Sequence, residues 1–157
     1  MKKDRLIELV PSMESCMRIP SGQLADTALV WLDACETPCF WDGDDGHGGL
    51  AGGVKAMKLP ARVRPRNHCM DTAPGLHPAP TVRETLFDLL DKGYRDIYLN
   101  CCCFPSTCTC RDPQTGEKIS RGGNTPEEAA LSLWLYLWTR HACLTFGKTS
   151  GGVINDD

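Results

Sequence analysis

Hydrophobic positions along the first 35 residues recur at helical spacing. Leu6, Ile7 and Val10 form a short apolar stripe interrupted by Pro11, and Ile19-Pro20-Ser21 marks a new start with Ser21 as its N-cap. Leu24, Ala28, Trp31, Leu32 and Cys35 follow for the most part at three- and four-residue intervals, which predicts a helix from about 22 to 35 with one apolar face. From Thr37 to Pro80 the periodicity dissolves. Six glycines fall between positions 43 and 53, and prolines follow at 60, 65, 74, 78 and 80. This stretch reads as a long Gly/Pro-rich loop region at 37–80 in which Val54 to Val63 can supply a short strand. A loop of that length in a compact domain is either functional or disordered.

Regularity returns at Thr81. Thr81 and Glu84 have the separation of a capping box, and Val82, Leu86, Leu89 and Leu90 line one face until Lys92-Gly93 ends the helix. Tyr94 to Cys103 then alternates, with Ile97, Leu99, Cys101 and Cys103 on one side and Asp96, Tyr98, Asn100 and Cys102 on the other. A turn at 104–107, a return strand over Cys108 to Arg111, a second turn at 112–116 and a strand over Glu117 to Ser120 complete an antiparallel meander. The last helix opens at Thr125-Pro126-Glu127-Glu128, where a hydroxyl N-cap, a proline at the first helical position and an acid three residues on coincide. Its body is apolar on nearly every side, so it is buried between layers or in an oligomer interface. Residues 147–157 read as a mobile tail. The predicted architecture is α+β, a small antiparallel sheet of three to four strands sandwiched by helices in one domain over 1–146.

Composition narrows the chemistry. With 157 residues, 41% hydrophobic and 24% charged, the chain fits one globular domain. Its formal net charge of −3 supplies no global field for a nucleic-acid backbone, so no polymeric nucleic acid is expected as partner. No stretch approaches the roughly 18 apolar residues of a membrane span, and Glu8, Pro11 and Glu14 interrupt any signal-peptide core, so a cytoplasmic protein without a membrane partner is expected. In that compartment the ten cysteines are thiols or metal ligands, not lasting disulfides.

Those cysteines are Cys16, Cys35, Cys39, Cys69, the run Cys101-Cys102-Cys103, Cys108, Cys110 and Cys143. A hairpin sets Cys101 or Cys103 opposite Cys108 or Cys110, so these four are candidates for a structural zinc site, the alternative being thiols used as small apolar core residues. No other cofactor is expected. Cys69 beside His68 suggests a nucleophile, but neighbours on an extended chain point to opposite sides. Gly147-Lys148-Thr149 lacks the first glycine of a phosphate loop, Ala142 standing in its place. Asp42, Asp44 and Asp45 lack the closing glutamate of a calcium loop, Gly53 standing there.

The remaining candidate is basic. Arg62, Arg64 and Arg66 alternate before His68, so an extended backbone places three guanidinium groups on one side. Guanidinium forks suit phosphate or carboxylate. Arg111 and Arg121 flank the meander, and Trp41 and Tyr98 offer aromatic faces, so together these residues can form a pocket for a small anionic, base-containing ligand. Arginines that merely solubilise a surface are the alternative.

The leucine-rich segment SGQLADTALVWL after an apolar N-terminal RLIELV, the long Pro/Gly-rich middle, the helix before a short meander and the closing NTPEEAALSLWLYL resemble the phage ABA-sandwich family of small phage-encoded proteins. The likeness spans most of residues 4–140. It implies a helix/sheet/helix sandwich, a phage origin, residence in the host bacterial cytoplasm and no catalytic residues. The expected function is that of a non-enzymatic, anti-defence accessory protein. It forms a homo-oligomer through its last helix and sequesters a small anionic nucleotide-like signal. Inhibition of a host defence protein, a zinc-stabilised domain and a Cys69 thiol hydrolase are the alternatives.

Overall fold

The computed structural model describes residues 5–24, 27–32, 40–41, 54–55, 61–66, 75–102 and 104–154, with backbone alone at 40–41, 54–55 and 142–154. The fold is α+β, built from small three-stranded antiparallel sheets and helices. A 3-10 turn, Ile7–Leu9, leads to a four-residue helix α1, Met13–Cys16. Ser12 caps α1 by accepting from the Ser15 N–H at 3.2 Å.

The helix expected over 22–35 does not form. Gly22 and Leu24 have φ of +81° and +51°, outside the right-handed helical region, and Leu29–Leu32 is a strand, β1, with all four residues buried. The run Leu-Val-Trp-Leu is a short continuous apolar segment, which periodicity alone cannot separate from a buried helix. Here both its neighbours are strands. β4, Arg62–Pro65, and β5, Leu76–Pro78, flank β1 antiparallel in the order β4-β1-β5, with Trp31 opposite Val63 and His77. The region expected to be loop therefore contributes strands, and a two-stranded ribbon joins β2, Phe40–Trp41, to β3, Val54–Lys55. Their hydrogen-bond partners lie far along the chain, so local pattern carries little trace of them.

Helix α2, Val82–Asp91, has the expected start. The Thr81 Oγ1 accepts from the Glu84 N–H at 3.3 Å while the Glu84 carboxylate accepts from the Thr81 N–H at 3.2 Å. The second Glu84 oxygen accepts from the Ala28 N–H at 2.7 Å, so one side chain caps α2 and also holds the entry to β1. Gly93, at φ +93°, ends the helix, with the Tyr94 N–H donating back to the Leu89 carbonyl.

The meander follows as expected: β6, Arg95–Asn100, β7, Ser106–Arg111, and β8, Lys118–Gly123, in sequential antiparallel order. Cys108, Cys110 and Ile119 are buried on its inner face. Helix α3, Pro126–Ile154, covers that face and also packs on α2. Its residues Ala129, Ala130, Leu131, Leu133, Trp134, Leu135 and Leu137 are buried, so an all-round apolar helix is placed between layers. Thr125 caps it, accepting from the Glu128 N–H at 3.2 Å. The Glu128 carboxylate crosses to α1, accepting from the Ser12 N–H at 2.5 Å and the Ser15 hydroxyl at 2.6 Å. Helix α3 also runs to Ile154, through most of the segment read as a tail: the stretch contains no proline, and propagating an existing helix is far easier than nucleating one. No helix among the described residues is long and apolar enough to cross a membrane.

One core joins these parts. Trp31, Leu29 and Val63 from the first sheet, Leu89 from α2, Cys108, Cys110 and Ile119 from the meander and the buried α3 residues belong to a single cluster. Trp31 satisfies its indole N–H on the Pro11 carbonyl at 2.8 Å, which lets a large polar-tipped ring be buried.

Candidate functional site

The alternation of Arg62 and Arg64 about a buried Val63 is present in β4. Register places Arg64 beside Val30 and Arg62 beside Leu32, so the two arginines flank the second, also buried, side of β1. Each is already engaged with a partner, as is Arg66. Arg66 donates its backbone N–H to the Ala28 carbonyl at 2.8 Å and lines a cleft of about 490 Å³ with Gln23, Thr27 and His77. His68 lies outside the described residues, and of Trp41 only the backbone is described.

Arg111 and Arg121 stand on opposite faces of the meander. Arg121 is in register with Cys108 on the face that carries α3, and its guanidinium stacks 3.7 Å from the centre of the Tyr136 ring. Arg111 belongs to the other face. There it pairs with Asp96 at 3.2 Å and donates to the Gly116 carbonyl at 2.9 Å. Tyr98, 65% exposed, is on this outer face too, in register with Thr109 and Ser120, whose hydroxyls are hydrogen-bonded to each other at 2.9 Å. The predicted set is thus divided. Tyr98 and Arg111 come together, Arg62 and Arg64 share a different sheet, and Arg121 is turned toward the helix.

The outer face holds two further cations that alternation alone does not find. Arg95, Arg111 and Lys118 are direct cross-strand neighbours, a row of three positive side chains at one end of the sheet. Strict alternation sets Arg95 and Tyr98 on opposite faces. A bulge between them, with Asp96 at φ +51°, shifts the register and returns both to one face. Like charges in register are destabilising unless something offsets them. Asp96 offsets part, through Arg111, and leaves the row net positive. Asp96, Tyr98, Thr109, Arg111 and Lys118 line a shallow cavity of about 240 Å³.

The cysteines fall into two environments. Cys16, Cys108 and Cys110 are buried, whereas Cys101 and Cys102 are exposed. Cys103 lies outside the described residues. Among the described residues no three His, Cys, Asp or Glu side chains are grouped so as to hold a metal ion. Burial pushes the thiol of Cys16 up to about 12 from the ordinary 9.0, and those of Cys108 and Cys110 up to about 11. These thiols stay protonated in the fold while the unfolded chain ionises first. Their contribution is complete below pH 9 and is lost as the pH rises from about 9 toward 12. Iodoacetamide at pH 8 is therefore expected to modify Cys101 and Cys102 in the folded protein and to reach the buried three only after denaturation. Mass mapping of the labelled peptides checks this, and equal labelling of both groups contradicts it.

Comparison of the chain with protein-family models, curated proteins and solved structures gives no match in any of the three.

Proposed function

We propose that this protein acts by binding a small phosphorylated, ring-bearing ligand of the nucleotide type on the outer face of β6-β7-β8. The observation that carries the reading is the cross-strand row Arg95, Arg111 and Lys118 beside the exposed ring of Tyr98. Cations in register offer charge-assisted hydrogen bonds to phosphate oxygens, and an exposed tyrosine gives a base a face to stack on. The remaining polar surface there, Thr109 and Ser120, is of the kind that hydrogen-bonds a sugar or phosphate edge. Sequestration of such a ligand by a phage accessory protein is the setting that the family resemblance suggests. The binding reading itself stands on the sheet face.

Calorimetric titration with nucleoside triphosphates and cyclic dinucleotides tests it. Arg95→Ala and Lys118→Ala are each expected to weaken binding roughly ten-fold or more, the worth of a charged hydrogen bond. Tyr98→Ala removes a stacking contact worth about 1–3 kcal/mol. Added salt is expected to weaken binding further, because the row is exposed. Affinities unchanged in all three variants overturn the assignment.

A further inference from the structure

A second cavity, of about 280 Å³, lies between α2 and α3. Its apolar walls are Leu89 and Leu137, its aromatic walls Tyr94, Trp134 and Trp138, and its charged wall Lys92, with His141 completing the lining. We propose that this cavity is a binding site for a flat aromatic acid, an aryl carboxylate of one or two fused rings. The site is separate from the outer sheet face, and the inference does not depend on the ligand proposed there.

Three features define the ligand. The volume lies just below the roughly 300–1,000 Å³ of pockets that take drug-sized molecules, so the occupant is smaller than those. Tyr94 and Trp138 are the partly exposed rings of the lining, beside the buried Trp134, Leu89 and Leu137, and such a wall favours an aromatic body in stacked or edge contact. The formal charge in the lining is cationic. Lys92 places its ammonium 5.3 Å from the centre of the Trp134 ring and pairs with Asp88. An ammonium has three donors, so a ligand carboxylate can accept from those that Asp88 does not use.

The walls are also held in place before any ligand arrives. Asp88 accepts from the indole N–H of Trp134 at 2.5 Å and from Lys92 as well, so one carboxylate sets both the Trp134 ring and the cation. Trp134 and Leu89 are each 1% exposed and Leu137 is 3% exposed, which fixes these side chains by packing. A preorganised site loses less conformational entropy on binding.

The test uses the full chain, with 1-naphthoate and its uncharged counterpart 1-naphthamide as probes. Naphthoate is expected to bind saturably at one site per chain and to quench tryptophan fluorescence, with naphthamide at least ten-fold weaker. Lys92→Gln is expected to weaken naphthoate at least ten-fold and to leave naphthamide unchanged. Proton–nitrogen spectra of the unaltered protein provide the second measurement, in which the indole N–H signals of Trp134 and Trp138 are expected to shift on adding naphthoate. The inference is overturned by absence of saturable binding up to millimolar probe, by equal affinity for acid and amide, or by shifts confined to residues around Tyr98. The last outcome reports binding at the outer sheet face instead.

Discussion

Replacing Trp134 with alanine is expected to cost the protein about 3–5 kcal/mol of stability, the range for deleting a large buried aromatic side chain. The ring is 1% exposed within the core that joins α2 to α3, so the surroundings can only partly collapse into the space it leaves. Its loss also strips Asp88 of one of its two donors and removes the aromatic face beneath the Lys92 ammonium. Trp134→Phe separates these contributions. It keeps most of the apolar surface and removes the indole N–H, leaving Asp88 paired with Lys92, so a smaller cost of about 1–2 kcal/mol is expected. Urea unfolding of the three proteins checks both values, provided the slopes agree so that midpoints report stability alone. An alanine variant within 1 kcal/mol of the parent would show that the α2–α3 contact is not part of the cooperative core.

The second large effect is expected at the junction of β8 with α3. Gly123 ends the strand so close to the helix that a Cβ there meets the Glu128 carbonyl carbon at 2.6 Å and the Glu128 Cβ at 2.7 Å, and lies closer still to the Ala129 nitrogen. Two of these three atoms are backbone and cannot rotate away. The strand end and the first turn of α3 must separate, and that turn carries the Thr125 cap and the Glu128 carboxylate bonded to Ser12 and Ser15. Gly123→Ala is therefore expected to destabilise by about 3 kcal/mol, at the upper end of overpacking costs. Gly122→Ala is the control. Its Cβ meets nothing nearer than the Ser106 carbonyl oxygen at 3.5 Å, ordinary van der Waals contact, so its effect is expected to stay within about 1 kcal/mol. Equal melting temperatures for the two variants would contradict the steric account.

Much of the second half of the chain was legible from local signals. Thr81 with Glu84, and Thr125 with Pro126 and Glu128, specify helix starts through groups three residues apart, and both caps are observed. The Cys108 to Arg111 and 117–120 strands were also readable, because turn residues bracket them; in the structure they extend to Ser106 and Gly123. The first sheet was not. Leu29–Leu32 is apolar on both sides, a pattern shared by buried strands and buried helices, and what selects the strand is pairing with residues some 30 or more positions away.

The candidate sites show the same division. Tyr98 and Arg111 were picked out as candidates from their types, and the strand pattern correctly set Tyr98 opposite the half-buried Ile97 and Leu99. Arg95 was not, because the bulge at Asp96 reverses its face, and Lys118 was not, because only register makes it a neighbour of Arg111. Arg121 differs from Arg111 by an odd step in the β7–β8 ladder, which turns it to Tyr136 instead of to the outer face.

From its sequence alone, this protein's α+β class, its two capped helices and its three-stranded meander were determined, because capping, turn chemistry and side-chain alternation act over a few residues. Only the tertiary structure decided that Leu29–Leu32 is a central strand, that Arg95, Arg111 and Lys118 form one row, and that Lys92, Tyr94, Trp134 and Trp138 close around one cavity. Those arrangements depend on register and helix packing, which are set by contacts between residues distant in the chain and leave no local periodicity to read.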